Sequence, residues 1–144
     1  MATIFTRIIN GEIPGTFVWT DDCAVAFMSV NPLAAGHVLV LPRAEVDHWL
    51  DLDESLSRHL FDVAHIIGRA QADAFGCERV GVIVAGFEVP HTHIHLVPAN
   101  DMAALSFENA ATSVDRDDLA AAAEAIRDRL RAAGHSPAEG PPAD

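Results

Sequence analysis

Between residues 16 and 42 the chain sets down three apolar runs, "TFVWT", "CAVAFMSV" and "HVLVLP", with only short connections between them. Parallel neighbours need a crossover of about a dozen residues or more, so connections this short make adjacent strands run antiparallel. The acidic pair Asp21 and Asp22 reads as a hairpin turn between the first two runs. Pro and Gly in "NPLAAG" mark a loop before the third, which Pro42 closes.

Elsewhere the period changes. "TIFTRIINGEIPG" predicts a short helix with Ile4, Phe5, Ile8 and Ile9 on its apolar side, ended by Gly11 and followed by Pro14. In "DESLSRHLFDVAHIIGRAQADAFG", Leu56, Leu60, Val63, Ala64, Ile67 and Ala70 recur at helical spacing, with Asp51 or Asp53 as cap and Gly76 as stop. "RVGVIVAG" and "HTHIHLVP" read as a fourth and a fifth strand, followed by a polar stretch. "DRDDLAAAAEAIRDRLRAAG" is a helix with acids at its start and arginines at its end, as the helix dipole favours. The Pro-rich, acidic tail "HSPAEGPPAD", residues 135–144, is predicted to be disordered. Helix, three strands, helix, two strands, helix is an α+β order. A 144-residue chain that is 50% hydrophobic has enough core for a single domain, over residues 1–134.

Charge narrows the partners. Twenty-one acidic residues stand against nine basic ones, every basic one an arginine, for a formal charge of -12. Nucleic-acid backbone and anionic membrane demand a basic face, so neither is an expected partner; a small anionic ligand in a local cradle of donors is compatible. Cys23 and Cys77 are too few for a disulfide framework and lack metal-type spacing, which fits a reducing, cytoplasmic setting. No apolar run approaches the roughly 20 residues that span a bilayer, and "MATIFTRIING" lacks the apolar segment of a secretory signal.

"HTHIHLVP" poses the functional question. On a strand, His91, His93 and His95 share one face, while Thr92, Ile94 and Leu96 take the other. One histidine in a strand is ordinarily a surface or satisfied core residue. Three in strict alternation must share hydrogen-bond partners and repel one another when protonated, so the pattern points to chemistry. Two chemistries compete. His91 and His93 with a carboxylate such as Glu88 could hold a metal ion, but residues four apart on a strand lie roughly 13 Å from each other, which leaves the third histidine out. Alternatively, a neutral imidazole attacks phosphorus while its neighbours hold phosphate oxygens and deliver a proton, which uses all three.

The stretch "HTHIHLV" resembles the signature of the histidine triad (HIT) superfamily, with only Thr92 outside the apolar pattern, and the similarity extends back through "DDCAVAFMSVNPLAAGHVLVLPR" to "IFTRIINGEIP". The resemblance implies a five-stranded antiparallel sheet with helices, extended by homodimerisation, and a nucleotide hydrolase or transferase acting at an α-phosphate without a cofactor. It implies that His93 is the nucleophile that carries a nucleotidyl intermediate. His91 and His95 flank it, and His37 orients the triad from behind. Backbone amides near Gly86 to Val89 would help to hold the phosphate.

Several positions depart from the family pattern. Thr3 and Thr6 stand where many relatives carry a Cys-x-x-Cys zinc pair, and Glu45 stands at a later ligand position, so no structural zinc is expected and the first helix should be held by packing alone. Ser29 replaces a ribose-binding aspartate, Phe87 and Glu88 occupy the segment before the triad, and no asparagine lies between Asn31 and Asn100 to contact phosphate. By position, Phe5, Ile8, Phe27, Ser29, Glu88 and Val89 are the candidate nucleotide-binding residues, with Val30 beside them. Trp19 and Trp49 read as packing residues, with Trp49 next to His48 also a candidate dimer edge. The drifted contacts keep two alternatives in view: a nucleotide-binding module with little turnover, and a metal-dependent hydrolase using adjacent histidines.

Overall fold

The computed structural model describes residues 2–143; Met1, which opens the N-terminal segment, and Asp144, the last residue of the tail, lie outside the described residues. Three helices and five strands follow in the expected order: α1 (Ile4–Ile9), β1 (Phe17–Thr20), β2 (Ala24–Met28), β3 (Val38–Pro42), α2 (Glu54–Phe75), β4 (Arg79–Ile83), β5 (Ile94–Ala99) and α3 (Arg116–Ala132). The strands form one antiparallel sheet in the order β1-β2-β3-β5-β4. This is α+β architecture with a five-stranded antiparallel sheet. Among the described residues, no helix is long and apolar enough to cross a membrane.

Alternation along the strands divides the core in two. Val38, Val40, Ile94 and Leu96 face α2 and α3 and pack with Leu60, Val63, Ile67, Ile126 and Leu130. Phe17, Val25, Phe27, Leu39 and Leu41 face the other way and pack with Phe5 and Ile9 of α1. One face is thus sealed by two long helices. The other is covered by a single six-residue helix, which leaves room for a site.

Local chemistry explains the helix limits. Asp53 caps α2 through the Ser55 N–H, and Gly76 ends it at φ 60°, a left-handed conformation that glycine adopts without a Cβ clash. Asp115 caps α3 through the N–H groups of Asp117 and Asp118, and Arg129 and Arg131 occupy its last turn.

Two expectations are corrected. The fifth strand begins at Ile94 rather than His91, because the chain turns tightly at Pro90 and Thr92 donates to the Val46 carbonyl instead of joining the sheet ladder. Ile4 is half exposed rather than part of the buried face of α1, whose buried residues are Phe5 and Ile9. Within the tail, the Ala138 N–H donates to the Val18 carbonyl, and Arg127 Nε donates to the Ala138 carbonyl. Arg127 also donates Nη2 to the Phe17 carbonyl, so the buried guanidinium joins α3, β1 and the tail. Proline and acid content are properties of composition and register none of these main-chain partners.

Ile67 is fully buried where α2 meets the sheet. Ile67→Ala should cost about 2–5 kcal/mol of folding free energy, read as a lowered urea midpoint at unchanged slope; a loss under 1 kcal/mol would contradict the packing described.

Candidate functional site

The turn at Pro90 delivers three histidines in three different environments. The His91 N–H donates to the Val89 carbonyl at 2.8 Å, closing a tight turn. His93 follows at the entry to β5, and its Nδ1–H donates to the His91 carbonyl at 2.7 Å. A carbonyl only accepts, so the proton of neutral His93 sits on Nδ1 and Nε2 keeps a bare lone pair. Phe5 of α1 meets the His93 ring in a T-shaped contact with centroids 4.9 Å apart. The first helix therefore steadies this ring through an apolar contact that leaves Nε2 unoccupied.

His95 is set by a second chain of hydrogen bonds. The Leu33 N–H donates to His37 Nδ1 at 3.0 Å, so that nitrogen is an acceptor and neutral His37 carries its proton on Nε2. His37 Nε2–H then donates to His95 Nδ1, also at 3.0 Å, which places the His95 proton on Nε2. His37 belongs to the loop before β3 and is almost fully buried. Alternate tautomers follow: His93 offers an acceptor, and its neighbour His95 offers a donor, with ring centroids 4.8 Å apart.

His91 is fully buried and has both ring nitrogens engaged. Nε2–H donates to the Pro42 carbonyl at 2.8 Å, and Nδ1 accepts from the Thr3 hydroxyl at 3.0 Å. The Thr3 oxygen also caps α1 by accepting from the Thr6 N–H, while Glu45 Oε1 accepts from the Thr3 N–H and the Thr6 hydroxyl, both at 2.7 Å. Helix α1 is thus held by a polar knot as well as by packing, a correction to the expectation of packing alone. Hydroxyls, a carboxylate and an imidazole already satisfied by one another do not fit a thiolate-type zinc site. Among the described residues, no group of three or more His, Cys, Asp or Glu side chains is arranged to hold a metal ion.

Phe5, Ile8, Phe27, Ser29, Glu88 and Val89 line one cavity of about 470 Å³, together with His37, His93 and His95. The cavity is bounded on one side by α1 and on another by strands β2 and β3. Val30 lies at its rim and is exposed. The Ser29 hydroxyl accepts from the Asn31 N–H. Glu88 lines the cavity with no arginine partner among the described residues, so its charge stands beside His93 and would oppose a phosphate there. Past His93 a second cavity of about 240 Å³ opens, lined by Asp47, His48, Trp49 and Phe87. Trp49 is part of this wall rather than of the packed core, and Phe87 is 97% exposed. Trp19 does pack, and its Nε1–H donates to Asp21.

A HIT domain family model matches residues 10–102 of the chain. The chain belongs to the HIT family. A HIT-like protein of Borreliella burgdorferi is 33% identical, with 66% of this chain and 73% of the relative covered. A plant relative, an adenylylsulfatase named HINT3 from Arabidopsis thaliana, is 28% identical over 68% of this chain and 52% of its own length. Among solved structures, a HIT-like protein of Bartonella henselae, described as involved in cell-cycle regulation, superposes with a TM-score of 0.80 at 28% identity over 89% of this chain and 96% of that one.

Two parts of the site lie outside the region matched by the HIT model, residues 10–102: α1, which precedes it, and the stretch that follows β5. The polar stretch after β5 forms two 3₁₀ turns, Met102–Leu105 and Phe107–Asn109, and folds back over the cavity. Asn31 Nδ2 donates to the carbonyls of Ala111 and Thr112, and the Ala111 N–H donates to the Pro32 carbonyl, which ties the stretch down. Phe107 meets His95 in a T-shaped contact at 5.0 Å. The only sign of it in the sequence is one aromatic residue in a stretch without periodicity.

Burial keeps all four imidazoles of this HIT site neutral. His37 is lowered to about 4, first by burial and then by repulsion from His93. His95 is lowered to about 3 by burial, then by His93 and His37. Burial also lowers His91 and His93, each partly countered by the carbonyl its ring N–H binds. Between these values and the ordinary pKa of about 6.5, the unfolded chain binds protons that the folded one refuses. Stability should therefore fall as pH drops from about 6.5 to about 3 and owe nothing to these groups above that window. Urea midpoints measured from pH 8 downward check this, and a flat profile through the window would contradict it.

Proposed function

We propose that this HIT protein is a nucleotide hydrolase or nucleotidyl transferase that works through a covalent intermediate on His93. The observation that carries the reading is the hydrogen bond from His93 Nδ1–H to the His91 carbonyl, which leaves Nε2 as a lone pair within the cavity. Such a nitrogen attacks the α-phosphorus of a nucleotide phosphoramidate or related nucleotide: an N–P bond forms, and the bond to the leaving group breaks. The leaving group keeps the electron pair and, where it is an amine, takes up a proton from solvent. Water then attacks the same phosphorus. The N–P pair returns to Nε2, the nucleoside monophosphate departs, and the water proton passes to solvent. The positive charge on the phosphorylated imidazole is met by the His91 carbonyl, which still accepts from Nδ1–H.

The other histidines serve this step in separate ways. His95 directs Nε2–H to phosphate oxygens or the leaving atom, and His37 holds it in that tautomer. His91 contributes its carbonyl while its own ring is anchored on Pro42 and Thr3. The nucleoside belongs in the 470 Å³ cavity, with its base against Phe5, Ile8 and Phe27, its ribose towards Ser29, and its phosphate near Glu88 and Val89. The chemistry needs no metal. The name of the plant relative, an adenylylsulfatase, supports a leaving group attached at a nucleotide phosphate.

The same reading has the protein act inside the cell as a homodimer. Cys23 and Cys77 are both free, and β4 is an edge strand with Val82 half exposed, a surface on which a second sheet could pair.

A specific observation favours a second reading, a nucleotide-binding module with little turnover: the Glu88 carboxylate, without an arginine partner among the described residues, in the wall of the cavity. One experiment separates the two. Wild type and His93→Ala are assayed on an adenosine phosphoramidate and a dinucleoside polyphosphate, with and without a chelator. The enzyme reading predicts turnover that survives the chelator and falls by at least about 10³-fold in the variant. Binding by calorimetry without product would establish the module instead, and turnover lost with the chelator would overturn the metal-free chemistry.

A further inference from the structure

Gln71 lies on α2, on the side of the sheet opposite the histidines, and is fully buried. Its Nε2 donates to two main-chain carbonyls at once, Gly36 at 2.8 Å and Leu96 at 3.0 Å. Two acceptors require the nitrogen end of the amide, so the orientation of the side chain is set by its partners. Oε1 is left buried and has no hydrogen-bond partner among the described residues. An orphaned buried acceptor weakens a fold, so this side chain is a poor choice for packing alone.

What it grips gives the residue a purpose. Gly36 immediately precedes His37, and Leu96 immediately follows His95. The β3–β5 ladder ends at Val38 opposite Leu96; carried two residues further, the register sets Gly36 against Pro98, which has no N–H to offer. Gln71 bridges the two strands at the point where the ladder runs out. A second contact from the same helix acts on the same spot. Gly36 has φ +87°, and a Cβ there would come within 2.3 Å of the ring of Phe75, one turn beyond Gln71 on α2. Helix α2 thus holds the residue before His37 by its carbonyl and by the shape of its backbone.

We infer that Gln71 is a positioning residue: by clamping the Gly36 and Leu96 carbonyls from behind the sheet, it fixes the separation at which His37 Nε2–H reaches His95 Nδ1. The effect on turnover rests on the nucleotidyl-transfer reading of the site. The clamp itself does not, because its first consequence is the His37–His95 hydrogen bond, which can be observed without substrate.

The test compares wild type, Gln71→Met, Gln71→Asn and Val63→Ala. Methionine keeps the length and removes both donors, and asparagine keeps the amide but falls one methylene short. Val63→Ala opens a cavity on the same helix and touches neither carbonyl. Nitrogen-15 spectra of the imidazoles should show His37 and His95 as neutral Nε2–H tautomers in wild type, with the proton shared between them protected from exchange. Both Gln71 variants should lose that protection and Val63→Ala should keep it. Given turnover, Gln71→Met should lower kcat by about 10- to 10²-fold, as a misplacement on the order of 1 Å does, and leave KM within about threefold. It should also move the acid limb of the pH profile towards the ordinary histidine range, a shift that a merely structural role would not give. Wild-type imidazole signals in both Gln71 variants would overturn the clamp, as would the same loss of protection in Val63→Ala. Absence of turnover in wild type would count against the proposed function and leave the spectra to decide the clamp.

Discussion

A neutral imidazole has two nitrogens and one proton, and whatever accepts that proton decides what the other nitrogen can do. The 2.7 Å hydrogen bond from His93 Nδ1–H to the His91 carbonyl makes that decision for the central histidine. It requires the His91 carbonyl to point at the imidazole two residues further along, which a regular strand would not allow. The turn at Pro90 and the departure of Thr92 to the Val46 carbonyl supply the necessary bend. His91 itself is immobilised by Pro42 on one side and by the Thr3, Thr6 and Glu45 knot on the other. The tautomer of one ring thus depends on the capping of a six-residue helix some ninety positions earlier in the chain.

The second chain, from the Leu33 N–H through His37 to His95, complements the first. Its direction gives His95 a donor where His93 presents an acceptor, so two adjacent rings of the same residue type have opposite capacities. Burial makes this possible, since a protonated imidazole would carry two donors and erase the difference. In a chain of formal charge -12, long-range attraction favours protonated histidines. Desolvation is the first cause of lowering at each of the four and outweighs that pull.

Short connections and alternating apolar residues made the sheet legible in the sequence, and helical spacing with capping aspartates made α2 and α3 legible to within a residue or two. The histidines and the apolar positions around them were legible from their pattern and from the family likeness. What escaped depended on main-chain partners distant in sequence. The bend that shortens β5, the Arg127 bonds to the Phe17 and Ala138 carbonyls, and the return of residues 102–112 over the cavity all rest on carbonyl and N–H contacts, which side-chain pattern does not register. Phe107 and Gln71 escaped as well. One lies in a stretch without periodicity, and the other is a polar residue at a core position of an otherwise ordinary amphipathic helix.

The central claim is that His93 Nε2 forms a bond to phosphorus, and the direct measurement is to catch that bond. Protein quenched in alkali during turnover of an adenosine phosphoramidate, digested and analysed by mass spectrometry, should carry one adenylyl group on the peptide containing "HTHIHLV", localised to His93. The adduct should vanish when the substrate is exhausted. Product formed steadily with no adduct at any time, or an adduct localised to His91 or His95, would contradict the account.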